Sequence, residues 1–365
     1  MPIEILKLLE QAFLSISLLL HDNLLGLAIG IIFLLAVCKA YREERKLPFL
    51  ATSILLALLL GMVSKPFLSQ NRPCQMAGSL VPCPDDFAMP SLHTLLAFAL
   101  VFGSVGNRSF PAYFLFACFV GYSRIYLGVH DIAQVFAGIS FALFAHLLAE
   151  LSWKVAGWEI PSRIMLKASR KNAQNSGSNE WLRQAVHAFA AIFLIALVVY
   201  AGREAALHLA GFSLLFGIAI SHLLLSGKSL PIVRGILAAL ERPNSTPGFG
   251  AMALAAGCLA IIAAVPNIWY ACASLWIVGI GDSASTIFGR TGRARLFYNK
   301  GKTVEGTLAF FASCVPSMLF AGEAALAVSA IAAVIESMQS HADDNLLVSA
   351  ICIFAFRLFE IQGLA

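Results

Sequence analysis

Basic side chains and histidines recur at the ends of apolar segments in the first half of the chain. Lys65 and Arg72 follow one such segment. His93 ends the run Met-Pro-Ser-Leu-His, and the run Ser-Arg-Ile-Tyr-Leu-Gly-Val-His carries Arg124 and His130. Ammonium and guanidinium groups balance the charge of phosphoryl oxygens, and an imidazole can act as nucleophile or general acid. Taken singly, such cations also suit a membrane boundary, but together the three segments predict a phosphate site that needs no metal.

Acidic residues, glycines and cations come together in the last third of the chain. Asp282 follows a glycine at the end of an apolar run, and Asp343 and Asp344 precede another run. Aspartate oxygens suit Mg²⁺, and glycines let backbone amides approach phosphates. We therefore predict a nucleotide site in which these three aspartates hold Mg²⁺. The cations that would offset the phosphate charge are Arg290, Lys300 and Lys302. The alternative is a basic loop on anionic lipid headgroups, to which the acids merely pair.

The elements that must position these residues are membrane helices. The chain is 59% hydrophobic and 12% charged, whereas soluble domains carry about 25% charged residues. Apolar runs near bilayer length recur throughout, and we expect an all-α polytopic membrane protein with about twelve or thirteen transmembrane helices in two bundles. Examples are the runs Leu24–Tyr41, Pro48–Lys65, Phe110–Val129, Ile132–Trp153 and Pro266–Ile280.

The distribution of basic residues predicts how these helices are oriented. The net charge is only +5, and the basic residues lie in short loops. This distribution indicates membrane topology and not a nucleic-acid partner. One basic cluster spans residues 39–46 and another spans residues 154–183. If both are cytoplasmic, span counting places His93 and His130 outside and Asp282 and Lys302 in the cytoplasm. We expect an integral protein of the cell membrane or of an endoplasmic-reticulum-like membrane.

One polar stretch divides the chain. Residues 157–180 lack any apolar period and resemble a flexible linker. The predicted domains are therefore residues 1–156 and 181–365, which carry different motifs. In the first domain, Cys74 and Cys83 fall in the predicted outer loop, where a disulfide could persist. The sequence leaves open whether that bond forms, because it does not give the Cα separation.

The order Lys-x6-Arg-Pro, Pro-Ser-x-His and Ser-Arg-x5-His resembles the type 2 phosphatidic acid phosphatase superfamily over residues 1–151. The resemblance implies a six-helix membrane fold that requires no cofactor. It also implies that His130 is the nucleophile that forms a phosphohistidine and that His93 is the general acid for the leaving oxygen. The implied phosphate-binding residues are Lys65, Arg72, Ser91, Leu92 and Arg124.

Two positions depart from that family pattern. Leu92 stands where the family usually has glycine, and Gln134 stands where it has a carboxylate that orients the nucleophile. A glutamine carbonyl can orient an imidazole but cannot neutralise its charge. Dolichyl diphosphate phosphatases resemble this chain in having glutamine there. The likeness therefore implies an active enzyme with polyprenyl substrates.

The second half resembles dolichol kinase, phytol kinase and CTP-dependent diacylglycerol kinase, and more distantly the phosphatidate cytidylyltransferases. The motifs that carry the likeness are Gly-Asp-Ser-Ala, Gly-Arg, Lys-Thr-x-Glu-Gly, the later glutamate Glu336 and Asp-Asp-Asn. The resemblance implies Mg²⁺-dependent transfer of the γ-phosphoryl group of CTP to a lipid alcohol. Lys302, Thr303 and Glu305 would bind the nucleotide, and Asp282 would hold the metal or accept the alcohol proton.

The pairing of the two halves suggests the substrates. A phosphatase and a kinase in one chain suit the recovery of a polyprenyl phosphate carrier from its diphosphate and its free alcohol. Alternatives are a phosphatidate and diacylglycerol pair, salvage of phytol or geranylgeraniol, or formation of a CDP-lipid by the second half. A flippase-like or scaffold protein with degenerate sites is a further alternative. The expected partners are membrane lipids and a nucleotide, and the sequence indicates no oligomeric state.

Overall fold

The computed structural model describes residues 3–160, 180–241, 246–338 and 343–363. The chain divides into two compact units, Met1–Ser162 and Arg163–Ala365, which are described separately. The described residues are helical and contain no strand, although one isolated bridge joins Arg295 and Thr303. The expectation of an all-α polytopic membrane protein is confirmed. Most of the linker predicted at residues 157–180 lies outside the described residues.

The first unit contains seven α-helices and one 3₁₀ turn, Glu44–Lys46, in its described part. Helix α5 is central, because it packs against α3, α6 and α7. The bounds are α1 Ile3–Leu19, α2 Asn23–Ala40, α3 Leu47–Leu68, α4 Cys74–Ala77, α5 Leu92–Ser104, α6 Phe110–Tyr126 and α7 Ile132–Val155.

The second unit contains nine α-helices in its described part and one π-helical turn. Helix α11 packs against α9 and α16, and α13 packs against α14. The bounds are α8 Glu180–Tyr200, α9 Arg203–Leu225, α10 Pro231–Leu240, α11 Phe249–Ala264, α12 Ile268–Trp276, α13 Asp282–Thr291, α14 Val304–Cys314, α15 Met318–Ser337 and α16 Asp344–Ile361. The π-helical turn spans Ile277–Gly281, directly before Asp282.

Side chains that accept hydrogen bonds from backbone amides fix where several helices begin. Asp22 caps α2, and Asp131 caps α7 by accepting from the Gln134 amide at 2.8 Å. Thr303 and Asp343 cap α14 and α16 in the same way. Each cap satisfies amides that have no partner within the helix. His130, Lys302 and Asp344 each lie directly next to one of these caps.

The number of full-length spans is lower than the twelve or thirteen expected. Six segments of the described chain are long and apolar enough to cross a membrane, or seven if the bent pair Lys7–Leu19 and Leu24–Ala40 counts as one span. Part of the difference arises because two other apolar helices of the described chain are short. Leu92–Ser104 has 13 residues and Phe249–Ala264 has 16, which is less than the roughly 20 residues of a typical transmembrane helix.

One of these segments, residues 304–337, reverses its direction. Asn299 lies just before this segment, and Ser337 is its last residue. The side-chain nitrogen Nδ2 of Asn299 donates to the carbonyl oxygen of Ser337 at 2.9 Å. Gly322 lies within it at φ 55° and interrupts the helical backbone. Helices α14 and α15 therefore form a hairpin whose two ends meet at one edge of the second unit.

The loop between α3 and α5 contains the disulfide that the sequence left open. Cys74 and Cys83 are bonded, with their Cα atoms 5.7 Å apart. Six other cysteines in the described chain are free thiols, and all but Cys118 are buried. The disulfide lies in the segment that connects Arg72 to Asp86.

Candidate functional site

His130 lies at the centre of a hydrogen-bond network in the first unit. Its Nε2 lies 3.0 Å from Nη1 of Arg72, and its Nδ1 lies 3.0 Å from Oε1 of Gln134. Arginine can only donate hydrogen bonds, so Nε2 must be the accepting nitrogen and Nδ1 must carry the proton. Oε1 of Gln134 accepts the hydrogen bond from Nδ1, and Nε2 of Gln134 donates to the Asn71 carbonyl oxygen at 3.3 Å. The network thus aims the lone pair of Nε2 at the basic side chains.

The turn between α6 and α7 holds His130 in this place. Gly128 has φ 76°, a left-handed conformation that other residues rarely adopt. The amides of Val129 and His130 then both donate to the carbonyl oxygen of Arg124, at 3.2 and 3.3 Å. The order of small and polar residues in Ser-Arg-x5-His therefore serves a tight turn as well as chemistry.

Burial keeps His130 neutral. Its side chain is almost fully enclosed, and this burial, followed by the positive charge of Arg72, holds the pKa of His130 well below its ordinary value of 6.5. The hydrogen bond to Gln134 acts in the opposite direction but is weaker. A neutral imidazole retains the lone pair that a nucleophile needs.

Lys65 and Arg72 both bind Asp86. Arg72 donates through Nη2 to Oδ1 of Asp86 at 2.6 Å and through Nε to the Asp86 carbonyl oxygen at 3.0 Å. The Lys65 ammonium contacts the other carboxylate oxygen, Oδ2. Burial alone would raise the pKa of Asp86, but the hydrogen bonds from the two cations lower it below its ordinary value. Sequence reasoning placed no function on Asp86.

The beginning of α5 approaches the same place. The Ser91 amide donates to the carbonyl oxygen of Gln134 at 3.0 Å. Ser91 is the N-cap of α5, but its hydroxyl makes no capping hydrogen bond, and Thr94 donates to that hydroxyl at 3.1 Å. Helix amides without such a cap are suited to an anion. The Leu92 side chain packs against α3 at Gly61.

Arg124 and His93 are less directly connected to His130. Arg124 is buried and donates to the Ser123 hydroxyl at 3.0 Å and to the Ser17 carbonyl oxygen at 3.3 Å. His93 makes no hydrogen bond to the part of the chain that the structure describes. Ser17 of α1 was not anticipated, since nothing in its sequence context marks it.

A cluster of carboxylates forms the candidate site of the second unit. One ligand oxygen from each of Asp282, Glu336 and Asp344 lies within 4.8 Å of the others. The Lys302 ammonium contacts Glu336 and lies 3.3 Å from Oδ2 of Asp344. The Ser285 hydroxyl donates to Oε1 of Glu336 at 2.7 Å. We refer to Asp282, Glu336 and Asp344 as the carboxylate cluster.

The carboxylate cluster fits a divalent cation. With its three acids ionised, Lys302 leaves a net charge of −2. Oε2 of the buried Glu336 has no hydrogen-bond partner in the described chain, and an unsatisfied buried carboxylate oxygen is costly unless a cation or water completes it. Burial alone would lower the pKa of Lys302, but Asp344 and Glu336 raise it above its ordinary value. Lys302 is therefore a permanent cation beside oxygen ligands that suit Mg²⁺.

The metal ligands predicted from the sequence need one correction. Asp282 and Asp344 belong to the cluster, but the third member is Glu336 and not Asp343. Asp343 uses its Oδ1 to accept from the Asn345 amide at 3.0 Å as the cap of α16. Neighbouring residues at a helix start point in different directions, so only one of the two aspartates reaches the cluster.

The turn before α14 contains the other predicted nucleotide contacts. Thr303 accepts from the Gly306 amide at 3.1 Å. Glu305 accepts from the amides of Arg293 and Ala294, at 2.7 and 3.0 Å. A side chain on Gly306 would come within 3.0 Å of the Gly289 backbone, so glycine lets α13 and α14 touch. Thr303 and Glu305 thus shape this turn.

Two predicted phosphate contacts lie at the surface of the second unit. Lys300 is exposed. Arg290 is also exposed, and its Nη1 lies 3.9 Å from a carboxylate oxygen of Glu180. Of the residues predicted for this site, the structure therefore brings Asp282, Lys302 and Asp344 together. The side chains of Arg290 and Lys300 are exposed to solvent.

The geometry of the first unit agrees with a comparison of the sequence with known families. Residues 47–157 match the PAP2 superfamily. This segment contains every residue from Lys65 to Gln134 that forms the His130 network. Residues 47–157 form a PAP2 superfamily domain. The PAP2 domain thus begins at α3 and ends just beyond α7.

Two relatives extend this comparison. An uncharacterized protein of Methanocaldococcus jannaschii is 35% identical over 128 residues, which cover 34% of this chain and 66% of the relative. An undecaprenyl-diphosphatase of Sulfolobus acidocaldarius is 33% identical over 111 residues, which cover 28% of this chain and 53% of the relative. The chain thus spans between half and two thirds of the length of these relatives. No solved structure matches it.

Proposed function

We propose that the PAP2 domain removes the terminal phosphate from a lipid diphosphate, with a polyprenyl diphosphate as the substrate. The observation that carries this proposal is the hydrogen-bond network of His130, in which Nε2 lies 3.0 Å from Nη1 of Arg72 while Gln134 holds Nδ1. The similarity to an undecaprenyl-diphosphatase supports the lipid class. Gln134 supports it as well, because dolichyl diphosphate phosphatases resemble this chain in having glutamine at that position.

The geometry supports a two-step mechanism. In the first step, Nε2 of His130 attacks the terminal phosphorus, the bond from phosphorus to the bridging oxygen breaks, and His93 gives that oxygen a proton. In the second step, water attacks the phosphohistidine and gives a proton to His93, the bond from Nε2 to phosphorus breaks, and inorganic phosphate leaves a neutral His130. Lys65, Arg72 and Arg124, with the amides at the start of α5, would balance the charge on the phosphoryl oxygens.

A substrate panel tests this proposal. The purified chain in detergent, without added metal and with a chelator, is given undecaprenyl diphosphate, a shorter prenyl diphosphate, phosphatidate and a water-soluble phosphate ester. We expect phosphate release to be fastest from the polyprenyl diphosphate. Faster release from phosphatidate would favour the phosphatidate alternative, and no release from any member would contradict the phosphatase proposal.

A Gln134→Glu substitution should move the pH dependence of this reaction. The carboxylate stabilises the charged imidazole and therefore raises the pKa of His130. Because neutral His130 is the active form, the acidic limb of the rate profile should shift upward by about one pH unit or more. The control is Gln75→Glu, at an exposed glutamine of α4. A profile that does not move in Gln134→Glu would show that this side chain does not contact the nucleophile.

We also propose that the second unit transfers a phosphoryl group from CTP to a lipid alcohol, with Mg²⁺ as cofactor. The carboxylate cluster and Lys302 support this proposal, because they combine cation ligands with a permanent ammonium. Mg²⁺ held by Asp282, Glu336 and Asp344 would balance the charge of the triphosphate. Lys302 would contact a phosphate, and Asp282 is the candidate to take the proton of the lipid hydroxyl.

The pairing of the two activities favours management of a polyprenyl phosphate carrier. The PAP2 domain would produce the monophosphate from the diphosphate, and the second unit would produce it from the free alcohol. Transfer of labelled phosphate from CTP and ATP to polyprenol, phytol and diacylglycerol distinguishes the lipid alternatives. Release of pyrophosphate with formation of a CDP-lipid would instead identify a cytidylyltransferase.

We further propose that the phosphatase site faces outward and that the carboxylate cluster faces the cytoplasm. The proposal follows from the two basic clusters. It is tested with single cysteines at Asp85 and at Phe297, which are both exposed, in a chain where the partly exposed Cys118 is changed to serine. A membrane-impermeant thiol reagent added to intact cells should label Asp85→Cys and not Phe297→Cys. Labelling of both from one side would contradict the assignment.

A further inference from the structure

Asp86 occupies the donors that a phosphoryl group would need. Its carboxylate takes the ammonium of Lys65 and both Nη2 and Nε of Arg72, the last at 3.2 Å. The remaining Arg72 nitrogen, Nη1, is used by His130 and by the carbonyl oxygen of Val129 at 3.1 Å. A phosphate in line with Nε2 of His130 therefore has to take these donors from Asp86.

The Asp86 carboxylate also has access to solvent. The Asp86 side chain is 52% exposed, whereas those of Lys65 and Arg72 are 10% and 5% exposed. The loop backbone is held separately from this carboxylate, because the Ala88 amide donates to the carbonyl oxygen of Gln70 at 2.9 Å. The carboxylate can therefore turn into water while the loop stays in place.

We propose that Asp86 is a specificity-determining residue that competes with ligands for Lys65 and Arg72. The inference rests on the proposed phosphatase function of the same site. A carboxylate carries one negative charge, so a terminal phosphoryl group with two charges displaces it more easily than a phosphodiester with one. Most membrane phospholipids are phosphodiesters with a single phosphate charge. Asp86 thus keeps such headgroups out of the site and admits phosphomonoesters and diphosphates.

The test measures competition by anions of different charge. Inhibition of phosphate release from the lipid diphosphate is measured with inorganic phosphate and with dimethyl phosphate, a monoanionic diester, for the full chain. Wild type should be inhibited by inorganic phosphate and not by dimethyl phosphate. In Asp86→Asn, the inhibition constant for inorganic phosphate should fall about tenfold, as expected when a charge-assisted competitor is lost. Dimethyl phosphate should then inhibit.

Two controls separate competition from a structural effect. Asp85→Asn makes the same charge change at the neighbouring exposed residue, which contacts neither Lys65 nor Arg72 in the described structure, and should leave both constants unchanged. Asp86→Glu keeps the charge and should stay closer to wild type than Asp86→Asn. Unchanged or weaker phosphate inhibition in a folded Asp86→Asn chain would overturn the proposal. If that variant does not fold, inhibition of wild type by dimethyl phosphate as strong as by inorganic phosphate would overturn it.

A binding readout keeps this proposal separate from the proposed activity. Calorimetric titration of the purified chain with inorganic phosphate requires no turnover. Tighter binding to Asp86→Asn than to wild type supports competition even if no lipid diphosphate is hydrolysed. Conversely, hydrolysis by wild type combined with equal phosphate binding by both chains would leave the phosphatase proposal intact and reject the role of Asp86.

Discussion

Replacing His130 with alanine is expected to lower phosphate release from a polyprenyl diphosphate by about 10³-fold or more, as losses of covalent nucleophiles do in other enzymes. The substitution removes Nε2, the nitrogen that faces Arg72. No other described side chain in this network offers a neutral, nucleophilic nitrogen in its place, since Arg72 is a cation and the Gln134 nitrogen belongs to an amide. The rate is measured as inorganic phosphate released by the purified chain in detergent.

The effect of His130→Ala should be confined to one activity. Arg72 keeps its contacts with Asp86 and Val129 in this variant, so the fold should persist, and transfer of phosphate from CTP should be unchanged. His208→Ala, at an exposed histidine of the second unit, is the matched control and should leave phosphate release at the wild-type rate. Phosphate release by His130→Ala at the wild-type rate would contradict the assignment of His130 as the nucleophile.

The second large effect is expected from Asp282→Asn, which should lower phosphoryl transfer to a lipid alcohol by about 10²-fold or more. Asparagine keeps the size of the side chain but lacks the charge that would hold Mg²⁺ or take the alcohol proton. Neutralising one acid also relieves the crowding of three carboxylates, so the fold should not suffer. The measurement is transfer of γ-labelled phosphate, with phosphate release by the PAP2 domain as an internal control.

The neighbouring aspartates provide the sharpest control for this prediction. Asp344 belongs to the carboxylate cluster, and Asp343 caps α16. Asparagine is as good a cap as aspartate. Asp343→Asn should therefore retain most of the transfer activity while Asp344→Asn loses it. Equal losses in the two variants, or full transfer by Asp282→Asn, would contradict the proposed use of the cluster.

Much of the first site was predictable from the sequence because its residues carry unusual chemistry for membrane edges. The predicted pairing of Gln134 with His130 agrees with the observed contact at 3.0 Å, since both lie in one turn at the start of α7. Asp86 was missed because the sequence does not show which of two adjacent aspartates reaches back across the loop. The disulfide was undecided for the same reason, because it depends on a Cα separation of 5.7 Å that loop folding sets.

In the second site, the sequence marked Glu336 as an acidic candidate but did not place it among the metal ligands. Glu336 lies in the last turn of α15 after a long apolar run, and its role depends on the hairpin that returns this turn to Lys302. Apolar content alone does not reveal such a reversal. Hydropathy likewise marks apolar runs but not whether a helix such as Leu92–Ser104 is of full length.

Direct detection of phosphohistidine tests the central claim that the PAP2 domain works through a covalent intermediate on His130. The chain is mixed with polyprenyl diphosphate labelled in its terminal phosphate, quenched in alkali, digested and analysed by mass spectrometry. We predict label on Nε2 of His130 that is lost in acid, is absent from His130→Ala and disappears as phosphate is released. Release of labelled phosphate at the wild-type rate with no label on His130 at any time would contradict it.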